Sequence, residues 1–116
     1  MIIRDNEHKI DEIVSVRGGD GTVGFKRIIT APEQLYNKGS VFSVVTLEPG
    51  CSIGWHKHIG DGEYYYVLEG NGEYSDNGTI TTLHSGDTAF CPDGEGHSIA
   101  NKSDKPFKFI ALVINN

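Results

Sequence analysis

No stretch of the chain keeps an apolar face at helical spacing; its apolar residues fall in short runs divided by glycine-rich turns. The runs occupy residues 23–30, 41–47, 63–68, 72–75, 79–84, 88–91, 97–100 and 107–114. Many are rich in Val, Ile, Thr, Tyr and Phe, which pack well on a pleated, half-buried surface. Pro49-Gly50, Glu69-Gly70, Ser85-Gly86, Asp93-Gly94 and Lys105-Pro106 read as the turns between them. Asn77-Gly78 lies between two of the runs and predicts a tight hairpin, because both residues tolerate positive φ. With 15 glycines among 116 residues, this rhythm predicts an all-β sandwich or barrel.

The length fits one domain with a single core. Residues 1–22, which end near Gly18-Gly19-Asp20-Gly21, read as an N-terminal arm leading into a barrel of residues 23–116. The formal charge of −6 disfavours nucleic acid and anionic membranes as partners. No apolar run is long enough for a membrane span, and the first residues lack the order of a signal peptide, so the cytoplasm is the expected compartment. In that reducing setting Cys51 and Cys91 are expected as free thiols.

Three of the five histidines fall within two regular spacings. One runs Gly50-x5-His56-x-His58-x4-Glu63-x6-Gly70, and the other Gly86-x5-Pro92-x-Gly94-x2-His97-x3-Asn101. On a strand, His56 and His58 project to one side and Lys57 to the other, with their Cα atoms roughly 6.6 Å apart. That is close enough for both rings to meet one ion. Ile59-Gly60-Asp61-Gly62 then reads as a reversal that returns Glu63 on the neighbouring strand, facing the same interior. His97 is expected to approach from a third direction. Three neutral imidazoles and one carboxylate form a mixed N/O set suited to Fe, Mn, Ni, Cu, Co or Zn.

These two patterns resemble the paired signature motifs of the cupin superfamily, which are met at every fixed position from Gly50 to Asn101. The gap between the motifs is short, as in compact single-domain members. The resemblance implies a jelly-roll β-barrel of two antiparallel sheets, with His56, His58, Glu63 and His97 as ligands to one divalent transition metal. Mn or Fe is favoured because oxygen or decarboxylation chemistry would need them. Ni, Zn, Cu or Co remain compatible. It also implies, together with Trp55, Tyr64 and Tyr66 on outer faces, a homodimer.

An ion of charge +2 beside one carboxylate leaves a site of about +1, which attracts an anionic or chelating small molecule. The resemblance is to cupin dioxygenases, oxalate decarboxylases, isomerases and lyases, and it does not choose among them. A binding module without turnover is the alternative, and a metal-free epimerase of the same fold is disfavoured by the intact ligand set. Tyr65 is the candidate catalytic or ligand-contacting residue, since Tyr65 and Val67 should share the inward face of Glu63, with Tyr64, Tyr66 and Leu68 opposite. His8 and His84 read as surface residues, Asn101 as a turn or supporting residue, and Lys26-Arg27 as a strand-edge charge pair.

Overall fold

The computed structural model describes residues 1–116, and ten strands dominate it. They are β1 (Ile10–Val14), β2 (Thr22–Arg27), β3 (Gly39–Leu47), β4 (Ser52–Lys57), β5 (Asp61–Glu69), β6 (Gly72–Asp76), β7 (Thr79–Leu83), β8 (Thr88–Cys91), β9 (Gly96–Ala100) and β10 (Phe107–Asn115). Every pairing is antiparallel. One sheet has the order β1-β2-β3-β10-β5-β8 and the other β4-β9-β6-β7. The expected jelly roll of two antiparallel sheets is thus the observed fold. No helix is long and apolar enough to cross a membrane.

Two-residue alternation decides which side chains enter the space between the sheets. On β10, Phe107, Phe109, Ala111 and Val113 are buried, and on β5 so are Glu63, Tyr65 and Val67. Tyr64, Tyr66 and Leu68 stand on the outer face and are exposed, as their positions in the run require. The β6–β7 hairpin turns at Asn77 (φ 49°) and Gly78 (φ 101°), the left-handed pair that matches strand twist.

The segment expected as an arm is built into the fold instead. Ile10–Val14 forms the edge strand β1, paired with β2 from Ile10 opposite Lys26 to Val14 opposite Thr22. Both its faces are largely open: Ile10, Ile13 and Val14 are all exposed. An edge strand without a buried face carries no alternation to read. Ion pairs tie this region down, with Arg27 Nε 2.9 Å from Asp11 Oδ2 and Lys26 bonded to Asp5. Lys26 and Arg27 are thus a paired charge couple, but not on an edge strand: β2 is flanked by β1 and β3.

The aromatic centre of the core sets a stability test. Phe109 is fully buried and tilts against Tyr65 at 4.5 Å and Phe107 at 5.3 Å between ring centroids. Phe109→Ala should cost about 3–5 kcal/mol in urea unfolding, through lost burial and an uncollapsed cavity. A loss below about 1 kcal/mol would show that this part of the core is not close-packed.

Candidate metal centre

The site is assembled from both sheets. His56 closes in on the interior from β4, where the pairing with β9 slips: Ile53 faces Ile99 but His56 faces His97. Three residues of β4 thus span two of β9, a bulge at Gly54 and Trp55 that turns His56 inward after the inward Ile53. His58 lies one residue past the end of β4. Its backbone is held by the turn before β9, with its N–H donating to Glu95 O at 2.9 Å and its carbonyl accepting from Gly94 N at 2.7 Å.

Glu63 does not come from a strand beside His56. The reversal at Gly60 (φ 81°) carries the chain across to the opposite sheet, where β5 lies between β10 and β8. The carboxylate reaches back across the interior. His97 is the residue that shares a sheet with His56, directly opposite it on β9. Only the common inward direction was legible from the spacing.

Four donor atoms converge. His97 Nε2 lies 3.0 Å from His56 Nε2 and 3.1 Å from His58 Nε2. Glu63 Oε1 lies 3.1 Å from His97 Nε2, 3.3 Å from His58 Nε2 and 3.9 Å from His56 Nε2. Two donors each bonded at about 2.1 Å and set at right angles would stand about 3.0 Å apart. The cluster therefore suits a single metal ion.

Each imidazole is oriented by a bond at its far nitrogen. His56 Nδ1 meets Gly54 O at 2.8 Å, and because a carbonyl only accepts, Nδ1 carries the proton. His58 Nδ1 is 2.8 Å from Asp61 Oδ1, again an acceptor. His97 Nδ1 is 2.9 Å from the Tyr74 hydroxyl. In neutral rings the acceptors at His56 and His58 leave those two Nε2 lone pairs facing the Glu63 carboxylate, a repulsive grouping that a proton or a cation relieves. Asp61 and Tyr74 carried no signal in the sequence. Tyr74 reaches His97 diagonally across the β6–β9 pairing, where Asp76 is the residue directly opposite, and that register is invisible in a linear pattern.

The same contacts shift the titrations. The Glu63 hydrogen bond is the largest of the effects that raise the His58 imidazole, against burial and with help from Asp61. Burial is the main cause that lowers His97, only partly offset by Glu63. Burial pushes the Glu63 carboxyl up, but hydrogen bonds from His56, His58 and His97 outweigh it and hold the group well below the carboxylate range. Burial, then the Glu63 charge, keeps the Tyr65 phenol well above its ordinary value.

Beside the donors lies a cavity of about 340 Å³. Its walls include Phe25, Val41, Ile53, Val113 and Tyr65, and Arg17 and Lys57 also line it. Tyr65 stacks on His97 with centroids 5.0 Å apart and planes 17° from parallel, so it backs the site as well as walling the cavity. The remaining candidates lie elsewhere. His84 is exposed beside Asp87, and the His8 ring bonds Asp5 O. Asn101 is buried, donating to Leu47 O and Lys105 O, and supports a loop. Trp55 faces outward from the four-stranded sheet, resting where a side chain on Gly96 would have to sit.

Comparison with known proteins agrees with this geometry. Residues 43–114 match the Cupin domain family (Cupin_2), and the chain belongs to it. The chain is similar to an oxalate-binding protein of Thermotoga maritima, with 38% identity over 114 residues covering 98% of this chain and 93% of that one. It is also similar to the crystal structure of a predicted oxalate decarboxylase from the same organism, at 37% identity, full coverage of both chains and a TM-score of 0.94. A Klebsiella pneumoniae protein with a double-stranded β-helix domain matches at 33% identity and a TM-score of 0.62, over 67% of this chain and 65% of that one.

Two measurements follow from the site. Tyr74→Phe removes the outer partner of His97 and little volume, and should weaken Mn(II) or Zn(II) affinity about 10–100-fold in chelator competition. An unchanged affinity would mean that the hydroxyl does not orient the ring. Loaded protein titrated from pH 8 to 5 should release metal as pH falls through about 6.5, the ordinary histidine value. The sign follows from His58: its raised value lets protons compete early, whereas the lowered value of His97 delays its own protonation to more acidic pH. Constant occupancy across that range would argue against imidazole ligands.

Proposed function

We propose that the chain binds a small dicarboxylate of the oxalate class on one divalent ion held by His56, His58, Glu63 and His97. The carrying observation is that the four converging donors stand beside a cavity that Tyr65 also walls, and that Tyr74 holds His97 from behind. Mn(II) or Fe(II) is the proposed ion, since both accept this N/O set with positions to spare for a chelating anion. When bound, it supplies positive charge and a fixed orientation for carboxylate oxygens. The similarity to an oxalate-binding protein supports this ligand class.

Turnover is a second reading, favoured by one feature. Losing CO₂ from oxalate leaves a carbon that must take up a proton to become formate. Tyr65 is the O–H in the cavity wall beside the donors, and a carbanion-like carbon is basic enough to take its proton even though burial and the Glu63 charge push the phenol up. The Asp61 carboxylate, by contrast, is engaged by His58. Calorimetry with Mn(II)-loaded protein should show oxalate binding that vanishes in metal-free protein and in His97→Ala. Equal binding without metal would sink the proposal. Mass spectrometry for formate separates enzyme from binder. Tyr65→Phe should weaken binding or turnover by up to about a hundredfold, and Tyr64→Phe, on the outer face, should not.

The outer face of the six-stranded sheet supports a homodimer. Tyr64 stacks on Phe90 at 4.3 Å, and Tyr66, Leu68 and Ile114 beside them are exposed. Ile110 and Leu112 lie between these and β3, which makes the apolar area continuous across strands. Light scattering should give twice the chain mass, and Tyr66→Glu should give a monomer. A monomeric wild type would end this reading. We place the chain in the cytoplasm, where free thiols such as Cys51 and Cys91 persist.

A further inference from the structure

Beyond the metal donors, the lining of the metal cavity carries one carboxylate, Asp61, and two cations that could read the charge of an anionic ligand. Arg17 and Lys57 are the cations there. Arg17 belongs to the Val16–Gly18 turn, in the segment that precedes the barrel proper. Its guanidinium has no ion pair or side-chain hydrogen bond within the chain, whereas Arg27 pairs with Asp11, Lys26 with Asp5 and Lys102 with Glu73.

The backbone that presents Arg17 is held against its preference. Arg17 sits at φ 53°, ψ 32° and Ser15 at φ 55°, ψ 48°, a left-handed conformation disfavoured for a long side chain. What holds it is a close contact with β4. A Cβ on Gly54 would lie 2.1 Å from the Arg17 carbonyl oxygen, and one on Gly19 would lie 2.3 Å from Ser52 O. Ser52 N donates to Asp20 O at 2.8 Å, and Asp20 N donates to Ser52 Oγ at 2.8 Å. The turn is therefore seated two residues from His56, on the same Gly54 whose carbonyl orients the His56 ring. Seating and metal centre share one residue.

We propose that Arg17 is the specificity-determining residue that selects a dicarboxylate over a monocarboxylate at the metal cavity, so that the N-terminal segment completes the binding site. This rests on the oxalate-class reading above. With the ion, Glu63 and Asp61 the centre is about neutral, so a dianion leaves it at about −2 and a monoanion at about −1. A cation at the mouth therefore favours the dianion over the monoanion, and Arg17 supplies it. A guanidinium also offers paired donors in one plane, matched to the carboxylate oxygens not spent on the ion.

The test is calorimetry of Mn(II)-loaded full-length protein with oxalate and with glycolate, a chelator bearing one carboxylate. Arg17→Asn removes the cation while keeping a residue that tolerates the left-handed backbone. It should weaken oxalate about tenfold or more and leave glycolate within about twofold, with metal content by elemental analysis confirming an intact centre. Arg17→Lys should retain part of the oxalate affinity, because charge without the planar fork is half the contact. Lys57→Gln makes the same change in net charge at the same mouth and should have a smaller effect. Oxalate affinity unchanged in Arg17→Asn, or lost equally in Lys57→Gln, would overturn the proposal while leaving the oxalate-class reading standing. Wild-type protein that binds metal but no oxalate would overturn both.

Discussion

Three imidazole nitrogens and a carboxylate oxygen held within 4.8 Å of one another in a largely buried cluster repel one another unless protons or a cation lie between them. The outer bonds decide which. A carbonyl at His56 and a carboxylate at His58 accept protons at Nδ1, which leaves Nε2 of those rings as a lone pair facing inward. Glu63 raises the His58 titration, so that ring is where a proton competes first. Proton and metal thus compete for the same lone pairs, and the outer partners set the terms.

Those partners are themselves fixed by the barrel. Gly54 lies in the bulge of β4 and Tyr74 is buried in the core. Asp61 opens β5 in the opposite sheet. The absence of a side chain on Gly54 and Gly96 matters as much: one admits the backbone of the Arg17 turn, the other the ring of Trp55. Strand β4 is therefore gripped from two directions along the few residues that aim His56. Phe109 and Tyr65 extend the packing behind His97, so core and centre are one continuous body.

How much of this the sequence disclosed depends on the range of the interaction. The inward face of Glu63, Tyr65 and Val67 follows from alternation within one strand, and the Asn77-Gly78 hairpin from two neighbouring residues. The four donors stood out because their spacing is regular along the chain. What linear pattern does not carry is partnership between distant strands. Hence spacing alone puts Glu63 beside His56 rather than across the barrel, gives no signal for Tyr74 or Asp61, and leaves β1, with no buried face, without alternation to mark it as a strand. The bulge at Gly54 and Trp55 was hidden for the same reason: it exists only relative to β9.

The placement of the outer partners also bears on whether the fold depends on its ion. In small metal-nucleated domains the ligands have nothing but the metal to organise them, and the unloaded chain is unfolded. Here the His97 ring is pinned between Tyr65 and the Tyr74 hydroxyl, and the His58 backbone is clasped by two hydrogen bonds to the turn before β9. These contacts orient the donors through the chain itself, so part of the ordering of those side chains is a cost of folding rather than of binding. Metal affinity is correspondingly free to serve ligand capture. A loaded site adds stability in proportion to the logarithm of free metal over its dissociation constant, on top of what the aromatic core around Phe109 and Tyr65 contributes.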